Sequence, residues 1–205
     1  MGNEAICAAS LGRQKGRGKA LLETAELIFR SEDEGLRLKI PFSSIKSAKA
    51  VGGELRLEIP EGLAVFALGA NAAKWCEKIL HPKTRLEKLG IKQNTNVSLM
   101  GDFDEDFLAE LRSTTKNMAS GKVTEGLEAI FFSAGAAKDL AQIAKLAKGL
   151  KGATSLWIVY PKGQKAITEN DVLAAGRKAQ LKDVKVVGFS PTHTALKFVI
   201  PMDRR

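Results

Sequence analysis

The chain is poor in the residue types that most often carry chemistry. Its 205 residues include two cysteines, two histidines, one tyrosine and two tryptophans. Cys7 and Cys76 stand alone in apolar patterns, which excludes a disulfide framework and leads us to expect buried thiols in a reducing compartment. No two of Cys7, Cys76, His81 and His193 stand at metal-ligand spacing, so no metal site is expected. No apolar run approaches the length of a membrane span, and Met1-Gly2-Asn3-Glu4-Ala5-Ile6 has no basic segment followed by an apolar stretch. Ile6 stands where N-myristoylation needs Ser or Thr. A cytoplasmic protein is therefore expected. Neither a P-loop nor an H-E-x-x-H pattern occurs.

What is present is an ordinary globular composition, 44% apolar and 27% charged, long enough for two small domains. The hydrophobic period changes once, near Pro82. Before it lie seven alternating segments: 5–10, 18–23, 26–30, 36–40, 45–51, 54–59 and 63–68. Leu36, Leu38 and Ile40 alternate with Arg37 and Lys39, and Leu55, Leu57 and Ile59 with Arg56 and Glu58. Period two with one polar face means a half-buried antiparallel sheet. Gly52-Gly53 suits a two-residue hairpin turn in which both residues take positive φ. From Asn71 the period becomes helical: Ala72, Trp75, Cys76, Ile79 and Leu80 share one face until Pro82 stops the helix.

Seven antiparallel strands closed by a C-terminal helix resemble a pleckstrin-homology-like sandwich or barrel. The stretches Leu27-Ile28-Phe29-Arg30, Leu36 to Phe42, Phe66-Ala67-Leu68-Gly69 and Ala73-Lys74-Trp75 resemble an uncharacterised bacterial family. That family joins such a domain to a methyltransferase-like core. In relatives that bind phosphoinositides, basic residues of the first inter-strand loop clasp phosphates. The resemblance places that loop at Leu11 to Arg17. Arg13, Lys15, Arg17 and Lys19 lie between Leu11 and Leu22 with no acidic residue among them. Interspersed glycines would leave backbone N–H groups open to an anion. The alternative is a solvated loop.

Residues 83–94 read as a helical connector, with a Thr84–Glu87 capping box and Gly90 at the helix end. Beyond it strands alternate with helices: 96–100, then Phe103, Phe107 and Leu111 on a helix, 127–133, a helix over 136–148, 155–160, a helix capped by Thr168 with Asp171, then 184–189 and 195–200. This order means a parallel sheet flanked by helices and closed by an antiparallel pair, a small Rossmann-like domain spanning 95–205 after a first domain of 1–82. That ending resembles the class I methyltransferase fold. Two departures count against S-adenosylmethionine: the turn Met100-Gly101-Asp102-Phe103-Asp104 has one glycine, and about two strand–helix units, including the ribose-binding strand, are expected to be missing after Lys116. Asp102, Asp104, Glu105 and Asp106 fill the first helical turn, satisfy its dipole and repel a pyrophosphate.

A ligand of the second domain would sit at the carboxyl ends of the parallel strands, near Gly101, Asp102, Ser133, Tyr160 and Lys162. Ser133 lacks the G-x-S-x-G elbow and reads as a helix cap; His193 could act as a base but no motif pairs it with a nucleophile. No catalytic residue is assigned. The expectation is a non-catalytic cytoplasmic binding or scaffold protein without cofactor, its methyltransferase-like domain degenerate. One alternative is an S-adenosylmethionine-dependent methyltransferase with an abbreviated sheet. The other is nucleic-acid or anionic-ligand binding through Arg13–Lys19, an acidic protein being a third kind of anionic partner.

Overall fold

Alternation in the early segments becomes β1 (Asn3–Leu11), β2 (Gln14–Leu22), β3 (Glu26–Ser31), β4 (Arg37–Pro41), β5 (Ser47–Val51), β6 (Glu54–Ile59) and β7 (Gly62–Ala67). The computed structural model describes residues 3–33 and 35–205, and the chain divides into two compact units, 1–83 and 84–205. In the first unit the strands form one antiparallel sheet in the order β4-β3-β2-β1-β7-β6-β5. The sheet curls around Leu27, Phe29, Leu55, Leu57 and Phe66, all buried, with Phe29 and Phe66 meeting edge-on at 6.0 Å. Gly52 and Gly53 both take positive φ, 60° and 80°, at the β5–β6 turn. Helix α1 (Asn71–Leu80) packs against β5 and β6 through Ala72, Trp75, Cys76 and Ile79. Leu80, expected on that buried face, is half exposed because the helix ends there.

The second unit begins with α2 (Arg85–Leu89), whose start is a capping box: Thr84 N–H donates to Glu87, and Glu87 N–H to Thr84 Oγ1. Leu86, Leu89 and Ile91 enter the core of this unit beside Val97 and Phe107. Its strands are β8 (Val97–Met100), β9 (Met118–Ser120), β10 (Ala129–Ser133), β11 (Ser155–Pro161), β12 (Lys182–Gly188) and β13 (His193–Val199). Helices α3 (Glu105–Thr114), α4 (Ile143–Lys148) and α5 (Glu169–Lys178) connect them. The sheet order is β12-β13-β11-β10-β8-β9, with β9, β8, β10 and β11 parallel and β13 antiparallel to both its neighbours. The closing strand is thus inserted beside β11, and β12 forms the edge. Burial explains the choice: β13 buries Ala195, Leu196 and Phe198, whereas β12 exposes Val184 and Val186.

Successive strand residues point to opposite faces, so each strand feeds two cores. Ile130, Phe132 and Ile158 meet Ile143 of α4 and Val172 of α5, while Phe131 and Trp157 stack at 6.2 Å on the side of α2 and α3. Gly176 lets α5 press onto Phe198, whose ring would stand 2.1 Å from an added Cβ.

Three local expectations are corrected. A strand does follow Lys116: β9 pairs in parallel with β8, although it has only three residues. Phe103 precedes α3 rather than lying on it, because Asp104 is the cap. The helix expected over 136–148 starts as a 3-10 turn at 137–142, since the Asp139 carboxylate accepts from the N–H groups of Gly135 and Ala136 and tightens the entry. Ser133 is therefore a strand end and not a cap. No helix among the described residues is long and apolar enough to cross a membrane.

Candidate functional site

Three parallel strands, β8, β10 and β11, end on one side of the second unit, and an open crevice of about 770 Å³ lies beyond them. Just before its first lining residue on this side, Asp102, the chain leaves β8 through Gly101 at φ +89°. An added Cβ there would stand 3.1 Å from the Ser133 carbonyl oxygen, so this glycine is required by its own conformation and by the close approach of β10. Asp102, Phe103 and Ser133 line the crevice, with Asp104 and Asp106 at the start of α3. Asp104 caps α3, accepting from Phe107 N–H at 2.7 Å. Asp102 and Asp106 have no hydrogen-bond partner among the described residues, so capping accounts for one carboxylate of the wall and leaves these two facing the opening.

Arg85 builds the opposite wall. Its guanidinium donates twice to the Glu110 carboxylate, both at 3.0 Å, lies 3.5 Å from Asp104 and reaches the Phe189 carbonyl at 3.3 Å. It sits 5.3 Å from the ring centre of Phe107 and 5.1 Å from that of Phe189. Burial works against its charge, but the hydrogen bond and charge of Glu110, with Asp104 behind them, raise its pKa above the ordinary arginine value. One side chain thereby ties α2, α3 and the β12–β13 loop together. Nothing in the sequence pattern marked it: a first-turn arginine after a capping box ordinarily faces water. Phe189 was equally silent, reading only as the end of a strand, yet it packs 4.7 Å from Phe107 and 6.3 Å from Phe103.

The β12–β13 loop completes the crevice with Ser190, Thr192 and His193. Ser190 Oγ accepts from the N–H groups of Thr192 and His193, and His193 Nδ1 lies 2.9 Å from Thr192 Oγ1. Of the residues expected at the strand ends, Gly101, Asp102 and Ser133 come together here. Lys162 braces the loop from outside, donating to the Ser190 carbonyl at 2.7 Å. Tyr160 is buried and belongs to a separate, smaller depression, where its hydroxyl meets Glu169 at 3.3 Å. Burial, then the Glu169 charge and hydrogen bond, push its phenol well above the usual tyrosine range.

Arg13, Lys15, Arg17 and Lys19, expected on or beside the first inter-strand loop, do not form one. β1 and β2 pair without interruption from Asn3–Leu22 to Leu11–Gln14, leaving only Gly12 and Arg13 at the turn, with Gly12 at φ +57°. Lys15, Arg17 and Lys19 lie on β2 itself and all are exposed. Gly16 and Gly18 are explained by packing: an added Cβ would come within 2.9 Å of the Ser31 Cβ at Gly16 and 2.1 Å of the Arg30 carbonyl oxygen at Gly18. They bring β2 against β3 and leave no open N–H cradle.

No protein-family model and no curated protein sequence matches the chain. Solved structures do. The N-methyltransferase NodS from Bradyrhizobium japonicum matches at a TM-score of 0.43 and 14% identity, over 57% of this chain and 92% of its own. A SAM-dependent methyltransferase from Aquifex aeolicus matches at 0.40 and 13%, over 57% and 87%. A TehB-like SAM-dependent methyltransferase from Corynebacterium glutamicum matches at 0.38 and 12%, over 63% and 96%. The likeness is one of fold, to the methyltransferase Rossmann-like sheet. Two of these neighbours are named SAM-dependent methyltransferases and the third an N-methyltransferase, which stands against the expectation of a cofactor-free, non-catalytic scaffold.

Proposed function

We propose that the second unit binds S-adenosylmethionine beyond Gly101 and acts as a methyltransferase-type domain, with the first unit a pleckstrin-homology-like companion. The open acidic crevice at the ends of β8, β10 and β11 carries this reading. Its donor set discriminates by charge. Carboxylates in the first turn of α3 repel a pyrophosphate, but S-adenosylmethionine has no phosphate and, with a sulfonium and an ammonium against one carboxylate, is a net cation. Asp102 and Asp106, with the Phe103 ring beside them, would hold that cationic end. When bound, the group supplies an electrophilic methyl on sulfur. At the end of β9 stand Ser120, Gly121 and Lys122, so no carboxylate serves a ribose there.

His193 is the proton acceptor that the crevice offers. In the tautomer with its proton on Nδ1, that proton goes to Thr192 Oγ1 and Nε2 remains to accept another. The test is calorimetric titration with S-adenosylmethionine and with its demethylated product. We expect micromolar binding, reduced at least tenfold in Asp102→Asn/Asp106→Asn at unchanged thermal stability. Absence of heat with both ligands at millimolar concentration overturns the reading.

A further inference from the structure

Antiparallel register in the first unit sets cations directly opposite one another. Lys19 of β2 faces Arg30 of β3, and Arg30 faces Arg37 of β4, so three basic side chains stand abreast across three strands. Directly opposed residues share a face of the sheet, and this face is the outer one, because Leu27, Phe29 and Ile40 between them are buried inside. Arg17 and Lys15 continue the same face along β2 at intervals of about 6.6–6.8 Å, two residues of strand each. Among the described residues no carboxylate lies within ion-pair distance of Lys15, Arg17 or Arg30. Lys19 has one, Glu4 at 2.7 Å between exposed side chains, and Lys39 has Glu26 at 3.4 Å, the glutamate half-buried. Like charges directly opposite destabilise a sheet, so a bound anion beside Arg30 and along Arg17 and Lys15 would offset a cost in the free protein.

We propose that the outer face of β2, β3 and β4 docks on the phosphate backbone of double-stranded nucleic acid. Charge complementarity names the occupant. The cations form a grid on a surface that curves away from the core, which suits rows of phosphates flanking a groove. None of the large exposed apolar residues is aromatic, so the face has no platform on which unpaired bases could stack. Among the described residues Ile6, 58% exposed and opposite Lys19, is the one large apolar side chain on this face that is mostly exposed; Leu21 and Ile28 on the same face are half-buried, too little to anchor a bilayer. Binding through phosphates alone reads no sequence, since sequence is read at base edges. This surface belongs to the first unit and does not depend on the cofactor reading of the second.

The test uses the full chain and fluorescence-anisotropy titration with a short mixed-sequence DNA duplex at several salt concentrations. Four phosphate contacts give a log–log salt slope of about −3.6. The variant Lys15→Ser/Arg17→Ser/Arg30→Ser should weaken binding roughly tenfold or more at low salt and flatten that slope by about 2 to 3. Its thermal midpoint should hold or rise, because opposed charges have been removed. Arg17→Lys/Arg30→Lys keeps the charges and should keep the affinity. Lys145→Ser/Lys148→Ser, on α4 of the other unit, should change little. Equal loss in the α4 variant, or unchanged binding in the β2–β3 variant, overturns the proposal in favour of diffuse charge. Binding to phosphatidylserine vesicles at protein concentrations where the duplex is not bound overturns it in favour of a lipid surface.

Discussion

The two units solve the same problem, one sheet and one chain, with opposite faces left over. In the first, an antiparallel sheet buries a single face and α1 covers part of it, so every second residue of β2 is free to be charged. In the second, helices cover both faces of a mostly parallel sheet, and the strands β10 and β11 are buried almost throughout. Function in the first unit can therefore sit on a strand face, whereas in the second it is driven to the strand ends. The exposed cations of Lys15, Arg17 and Lys19 and the crevice beyond Gly101 are two consequences of that difference in covering.

The comparison breaks first at the cores. Trp75 and Trp157 are both buried, one in each unit, and replacing either with Ala should destabilise its unit by about 3–5 kcal/mol. Chemical denaturation followed by fluorescence of the remaining tryptophan, which lies in the other unit, shows whether the loss is confined to the mutated unit; a midpoint of that signal lowered by the full loss in both variants would remove the distinction between the units. Trp157 carries a further mark, an indole N–H without a hydrogen-bond partner among the described residues, beneath the Lys197 ammonium 5.6 Å from its ring.

A smaller effect separates the crevice wall from the core behind it. Arg85→Ala should cost about 1–2 kcal/mol through lost ring and carboxylate contacts, and Arg85→Lys should recover little, because an ammonium cannot reproduce the planar fork. If the lysine variant restores both stability and ligand titration, the wall is held by charge alone and the role given to the two rings falls.

The smallest effect is a difference in alkaline behaviour. Tyr160 is the one tyrosine of the chain, and burial with the Glu169 charge holds its folded pKa above the ordinary tyrosine value of about 10. A raised pKa gives stability that is complete below the unfolded value and is lost as pH rises past it, so the second unit should weaken above about pH 10. Ultraviolet titration of the phenolate should show a late, unfolding-linked transition, and Tyr160→Phe should flatten the loss. In the first unit the corresponding groups are thiols. Burial raises both Cys7 and Cys76, with Arg17 opposing at Cys7 and Glu77 adding at Cys76, so its alkaline loss should begin lower, above about pH 9.

Much of the fold was legible in the residues before any coordinates. Period-two alternation marked the seven strands of the first unit, although the start of β2 reads as a loop, Gly52-Gly53 marked a two-residue turn, and Thr84–Glu87 and Thr168–Asp171 two helix starts, because each of these signals is local and each has one dominant physical reading. β9 escaped notice since three residues are too few to show a period, and the 3-10 entry before α4 depends on one carboxylate, Asp139, reaching back to two N–H groups. Lys15, Arg17 and Lys19 were visible as charge but not as a face. Only strand register sets Lys19 beside Arg30 and Arg30 beside Arg37, residues with no common period. The crevice was legible as a location, at the carboxyl ends of parallel strands, through Gly101, Asp102 and Ser133. Its walls were not. Arg85, Glu110 and Phe189 stand up to 104 positions apart in the chain and meet because helices and a hairpin loop converge on one end of a sheet. Sequence determines the elements, since hydrogen bonding and burial within a few residues decide them. Tertiary structure decides which distant side chains share a surface, since that follows from packing many elements at once.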